Sequence, residues 1–152
     1  MRSPRAAAAP ASVFRMPAIG AVRQVALSAG RDLDATLAFW HDVLGMTVHV
    51  RFDPPGIAFI MAGDVRLLFT DGLPAGTVYL DISGLDDFYA SAKAAGVPFT
   101  APPMLVHRDT EGLFGPAGES EWMAFLKDPA GNTIGLVERH PPEQPETSVR
   151  PS

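Results

Sequence analysis

Hydrophobic and polar positions along this chain change their period in an order that occurs twice. From Val22 to Leu27 they alternate, with Val25 and Leu27 on one face and Gln24, Ala26 and Ser28 on the other, as on a half-buried strand. Leu33, Leu37, Trp40 and Leu44 then recur at helical spacing; Asp32 or Asp34 supplies the N-cap and Gly45 the left-handed stop. Thr47 to Phe52 alternates again, Asp53-Pro54-Pro55-Gly56 turns the chain, and Ile57–Met61 and Val65–Phe69 flank Gly63-Asp64 as a hairpin. The second half follows the same plan. Val78, Leu80 and Ile82 alternate with Thr77, Tyr79 and Asp81, Ser83 or Asp86 caps a helix bearing Leu85, Phe88 and Tyr89, and Gly96 ends it. Pro98, Pro102 and Pro103 confine strand structure to short pieces, one near Met104–His107. A Gly-rich excursion from Thr110 to Gly118 reads as a mobile, lid-like loop, and a hairpin of Glu121–Leu126 with Thr133–Glu138 completes the pattern.

The echo extends to details. RDLDATLAFWHDVLG (31–45) and GLDDFYASAKAAG (84–96) each place Leu-Asp ahead of a short amphipathic helix that stops at glycine, while Gly63-Asp64 and Gly131-Asn132 lead into VRLLF and TIGLV. A βαβββ unit buries little alone, so two such units must pair and place a cleft between them. The predicted fold is α+β: tandem βαβββ modules, 21–71 and 76–140, forming a curled mixed sheet with a central cleft in a single domain over 21–140. Residues 1–20, Ala/Pro-rich with three arginines and no acid, read as a disordered leader in which Met16 is an alternative start; the polar, proline-rich 141–152 reads as a disordered tail. Neither contains an apolar run long enough for a membrane span.

Composition narrows the partners. The chain has 152 residues, 47% hydrophobic and 19% charged, enough for one real core. With 12 basic and 17 acidic residues its formal charge is −5, which disfavours nucleic acid and favours neutral or cationic small molecules. Zero cysteines exclude disulfides, thiolate metal sites and cysteine nucleophiles, and fit a cytoplasmic location. There is no GxSxG, GxxxxGK or GxGxxG, which argues against hydrolase-elbow and nucleotide chemistry.

DLDATLAFWHDVLGM followed by FLKDPAGNTIGLVE resembles the vicinal oxygen chelate superfamily of glyoxalase I, bleomycin-resistance proteins, extradiol dioxygenases and methylmalonyl-CoA epimerase, over roughly Val22 to Glu138. The resemblance implies strands curled around a cleft, often completed by a homodimer. In metal-dependent members it also implies four inward ligands, from the first and last strand of each module. Those positions fall on Gln24, Thr77 and Gly135 and, if Gly63 is matched with Gly131, on Leu67. A divalent ion needs three or four imidazole, carboxylate or thiolate donors. The set Gln, Leu, Thr, Gly offers one neutral amide, so the usual metal site is expected to be absent and no cofactor is expected. A displaced site would have to gather Asp81, Glu119, Glu121, His49 or His107, and no HxxxH spacing supports one.

If the large alternating residues pack on the helices, the opposite parity lines the cleft: Gln24, Ala26, Ser28, Thr77, Tyr79, Asp81, Leu67, Phe69, Glu119, Glu121, Met123 and Phe125, with Met104 and Gly135 beside them. Such a cleft is apolar with a few polar anchors. Gln24 is a lone amide that either meets a ligand or bonds a neighbouring loop. Tyr79 is a ligand contact or a rim residue; Glu119 and Glu121 hold a cation or a proton, or are ordinary solvated acids. His107-Arg108 meets an anion or is a surface basic pair. The function expected is metal-independent binding of a small, mostly apolar organic molecule, by sequestration or non-redox chemistry. The first alternative is a lyase or isomerase with Glu121 as base and Gln24 or Tyr79 steadying an enolate-like oxygen; the second is a metal-dependent glyoxalase or dioxygenase.

Overall fold

In a computed structural model that describes residues 17–143, the order is β1 (Gln24–Ser28), α1 (Leu33–Asp42), β2 (Val48–Phe52), β3 (Ile57–Ala62), β4 (Val65–Thr70), then β5 (Thr77–Asp81), α2 (Leu85–Ala94), β6 (Phe99–Asp109), β7 (Glu119–Lys127) and β8 (Thr133–His140). Each module makes one four-stranded mixed sheet, ordered β1-β4-β3-β2 and β5-β8-β7-β6, with the β1–β4 and β5–β8 pairs parallel and the rest antiparallel. The expected tandem βαβββ architecture is therefore the one found. Most of the expected leader and tail lies outside the described residues.

Both helices obey local chemistry, and the second does so through a distant residue. Asp32 caps α1, its carboxylate accepting the Ala35 N–H, and Gly45, at φ 67°, closes the helix with its N–H on His41. At α2 neither Ser83 nor Asp86 is the cap. The N-cap residue is Gly84, and the carboxylate of Glu138 on β8 accepts the N–H groups of both Gly84 and Leu85, pinning the helix to its own sheet. The prolines do not break β6 either. It runs eleven residues because its register on β7 shifts between Ala101 and Met104, where Pro102 and Pro103 sit and no ladder donor is needed.

The inner faces of both sheets, covered by the helices, share one core containing Leu27, Trp40, Ile60, Leu67, Phe69, Leu85, Leu126, Ile134 and Leu136. Trp40 is wholly buried, edge-on to Phe69 at 5.1 Å. The DPAGN turn joins the modules across this core. Asp128 accepts the Trp40 indole N–H at 2.9 Å and both the main-chain and side-chain N–H of Asn132. Asn132, fully buried, acts as a short strand: its amide oxygen takes the N–H of Ser28 and of Gly76, and its amide nitrogen donates to the Ser28 carbonyl. The turn's Ala130 also presses on Gly30, where an added Cβ would come within 2.9 Å of it. So the motif that looks like a hairpin turn is the bolt between β1 and the start of β5.

Candidate functional site

Two of the expected cleft residues face the other way. In the β1–β4 ladder Gln24 stands opposite Arg66 and Ala26 opposite Leu68, so Leu67 and Phe69 share the inner face with Val25 and Leu27 and are fully buried in the core. The cause is in the pairing. Gln24 stands opposite Arg66, the third residue after Gly63, whereas Thr77 stands opposite Thr133, the second after Gly131, so matching the two glycines slips the register by one residue and turns the side chain over. Since Tyr79 pairs with Gly135 as Ala26 pairs with Leu68, the position equivalent to Gly135 is Leu68.

The outer face of module one therefore carries Gln24, Ala26, Arg66 and Leu68, then Phe59 and Met61 on β3 and Val50 and Phe52 on β2. It is a half-exposed apolar surface. Phe52 lies edge-on to Phe59 at 6.2 Å, and the Arg66 guanidinium stands 6.0 Å over the Phe59 ring. Gln24 has an exposed side chain at the open edge of this sheet and makes no side-chain hydrogen bond among the described residues.

The outer face of module two gathers most of the remaining expected residues. Thr77 and Tyr79 on β5, Gly135 and Val137 on β8, Met123 and Phe125 on β7, and Met104 on β6 follow one another across the ladder. Tyr79 remains 56% exposed while its ring lies edge-on to Phe125 at 5.9 Å. Between these two rings sits Gly135: a Cβ there would fall 2.5 and 2.8 Å from two Tyr79 ring carbons and 3.0 Å from Phe125. The place where a metal-binding carboxylate would begin is filled by an aromatic ring. With Leu68, Thr77 and Gly135 offering no imidazole or carboxylate, the residues at these positions do not fit a divalent ion. Among the described residues, no group of three or more His, Asp or Glu is placed to hold one.

At the far end of the same face the acids are tied up. Arg139 extends between Glu119 (2.6 Å), Glu121 (2.8 Å) and Asp109 (3.1 Å), one guanidinium among three carboxylates. Glu121, the expected base, thus has one oxygen engaged in an ion pair, and a proton-transfer role would have to compete with Arg139. Asp109 is buried and also accepts the N–H groups of Leu113 and Phe114 at 2.7 and 2.9 Å. Those backbone bonds, the Phe114 one foremost, and then Arg139 hold its pKa down at about 2 against the desolvation that opposes them. The 110–118 excursion is accordingly tied down at its base, with the Gly118 N–H also on the Asp109 carbonyl at 2.7 Å. It presents Phe114, 73% exposed, edge-on to His107 at 6.1 Å. His107 meets this aromatic side chain and lies opposite Glu121 on the ladder.

Sequence reasoning missed Arg139, Asp109 and Phe114. Arg139 continues the parity of Gly135 and Val137, a signal lost by ending the last strand at Glu138; no local pattern marked Asp109 as the loop's anchor. It also missed where the cavity between modules lies. That cavity, about 670 Å³, opens on the inner faces, lined by Val25 and Leu67 of module one and Val78, Leu80 and Leu136 of module two. Gln24 and Thr77 do not reach it. No helix among the described residues is long and apolar enough to cross a membrane.

Comparison with known proteins accounts for the whole architecture. Residues 23–136 match the family model of the Glyoxalase/Bleomycin resistance protein/Dioxygenase superfamily. No curated protein matches the chain. Among solved structures it is similar to a lactoylglutathione lyase from Agrobacterium tumefaciens (22% identity, TM-score 0.62, covering 80% of this chain and 96% of that one). It is similar also to a member of the superfamily from Sphaerobacter thermophilus (22%, 0.60, 79% and 98%) and to an antibiotic-binding protein from Streptomyces sp. CB03234 (18%, 0.62, 82% and 100%). The chain belongs to the glyoxalase/bleomycin resistance protein/dioxygenase superfamily.

Proposed function

We propose that this member of the superfamily binds a small, mostly apolar organic molecule on the outer faces of its sheets without a metal ion, and that its role is to sequester that molecule. The observation that carries the reading is Gly135 under the Tyr79–Phe125 pair: the superfamily's carboxylate position is given over to an aromatic contact surface. Around it, Met104, Met123, Val137 and Phe114 supply apolar contact, and one arginine among three carboxylates leaves the end of the face net acidic. Such a surface suits a ring system bearing a cationic or hydrogen-bonding group. The similarity to an antibiotic-binding protein supports the class of ligand. A second copy of the chain covering the exposed faces, as a homodimer, would complete the enclosure, and a cytoplasmic location fits the absence of cysteine.

A non-redox lyase or isomerase is the second reading. It is favoured by one observation, the placement of Glu121 beside His107 on the same face as Tyr79.

The test is metal analysis of protein purified without chelator, together with thermal-shift screening against cationic and neutral antibiotics, thioesters and ketoacids. Less than one tenth of an equivalent of transition metal, with stabilisation by a ring-bearing ligand and no turnover, is expected. A stoichiometric, tightly held divalent ion refutes the metal-free reading. Turnover that Glu121→Gln abolishes refutes sequestration in favour of the enzyme.

A further inference from the structure

The inner-face cavity is separate from the surface just described. Its walls are Leu44 and Met46, just beyond α1, and Phe88 of α2; its floor is Leu67, Leu80 and Leu136, contributed by β4, β5 and β8. Its volume of about 670 Å³ is the size of an ordinary small-molecule site, and Val22, largely exposed, stands at its mouth.

One edge of the cavity is polar. The Thr133 N–H bonds the Gly76 carbonyl and the Ile82 N–H bonds the Val137 carbonyl. By the alternation of a parallel ladder, Gly76, Val78, Leu80 and Ile82 turn their main-chain groups to β8, while Tyr79 and Asp81 turn theirs to the open edge. Among the described residues β5 has no second neighbour in its sheet, and both residues line the cavity. Their side chains belong to the outer face, so what they bring is main-chain N–H and C=O groups that no other strand among the described residues takes up. Apart from Asp81 and Tyr79, no titratable residue among the described ones lines the space.

We infer that this cavity is a second binding site, for an uncharged aromatic molecule of two or three rings carrying a hydrogen-bonding group that meets the open edge of β5. A charged molecule would lose its hydration against an apolar floor and find no counter-charge other than Asp81. The site is independent of the outer-face reading, and either can fail without the other.

N-phenyl-1-naphthylamine, uncharged with one N–H, is a suitable probe. Full-length protein with ¹³C-methyl methionine is titrated with it while its fluorescence is followed. A saturating shift of the Met46 methyl is expected, and any shift of the Met104 or Met123 methyls is read separately, as occupancy of the outer face. Leu44→Trp and Val65→Trp, which fill the cavity from two sides, should each weaken the titration read at Met46 at least tenfold, and Ala26→Trp on the outer face should leave that titration unchanged. The methyl readout needs no variant, so a misfolded substitution does not blunt the test. Absence of saturable binding, or shifts at Met104 or Met123 in place of Met46, overturns the inference. So does dimerisation that shields the Met46 methyl and blocks the probe, because a second copy is then the occupant.

Discussion

Gly135→Ala is a small change with a cost that can be worked out. Its Cβ would lie 2.5 Å from the nearest Tyr79 ring carbon, well inside contact distance, so the ring has to move. Tyr79 is 56% exposed and can swing outward, and the loss is then its packing. Giving up the edge-on contact with Phe125 costs about 0.5–1.5 kcal/mol. Re-exposing roughly 40 Å² of ring that lay on the glycine costs about 1 kcal/mol more. Against this, Gly135 is not held at positive φ, so alanine recovers about 0.4–1 kcal/mol by restricting the unfolded chain. The net is a destabilisation of about 0.5–2 kcal/mol, or a fall in Tm of roughly 1–8 °C for a domain of this size. Urea denaturation of wild type, Gly135→Ala, Tyr79→Ala and the double variant closes a cycle. The same glycine substitution should lose most of its cost once Tyr79 is alanine, keeping only what the 3.0 Å approach to Phe125 imposes. An equal cost in both backgrounds, or no cost in the wild type, would show that the ring does not occupy the carboxylate's place.

Further outcomes follow from other parts of the fold. Asn132→Ala strips partners from Ser28, Gly76 and Asp128 at once and should cost about 3 kcal/mol or more in chemical denaturation, against about 1 kcal/mol for an exposed asparagine-to-alanine change. Glu138→Ala removes the cap that β8 lends to α2 and should cost about 1 kcal/mol. Its folded pKa is lowered, chiefly by His140, so the contribution is present above the ordinary glutamate range and lost as pH falls through it. Asp109, with its pKa down at about 2 in the fold against an ordinary 3.8, should keep the Leu113 and Phe114 amides protected from hydrogen exchange from neutral pH to about 4. That protection should fail between there and about pH 2, and Asp109→Ala should abolish it at neutral pH. Phe114→Ala should leave stability within about 0.5 kcal/mol, since the ring is 73% exposed, while weakening an outer-face ligand.

Much of the fold was legible because period and punctuation agree. Leu33, Leu37 and Trp40 mark one helix face, Asp32 its start and Gly45 its end, and the order recurs. What local pattern could not supply were contacts across long separations: Glu138 capping a helix more than fifty residues earlier, or Asn132 pairing with Ser28. The candidate surface was half legible. Alternation grouped Gln24, Thr77, Tyr79, Met123 and Phe125 on one side of their strands, expected to line a central cleft and found on the outer faces, but at β4 matching Gly63 with Gly131 slipped the register by one and inverted Leu67 and Phe69. Parity is only as good as the register that anchors it.

Binding of an organic molecule on the Tyr79–Gly135–Phe125 surface, with no metal beneath it, is tested most directly by calorimetric titration of the strongest ligand from the thermal-shift panel, in the presence of excess chelator, on wild type and Tyr79→Ala. Binding that persists with chelator and weakens at least tenfold in Tyr79→Ala is the predicted result. Binding that vanishes with chelator, or that Tyr79→Ala leaves unchanged, would contradict it.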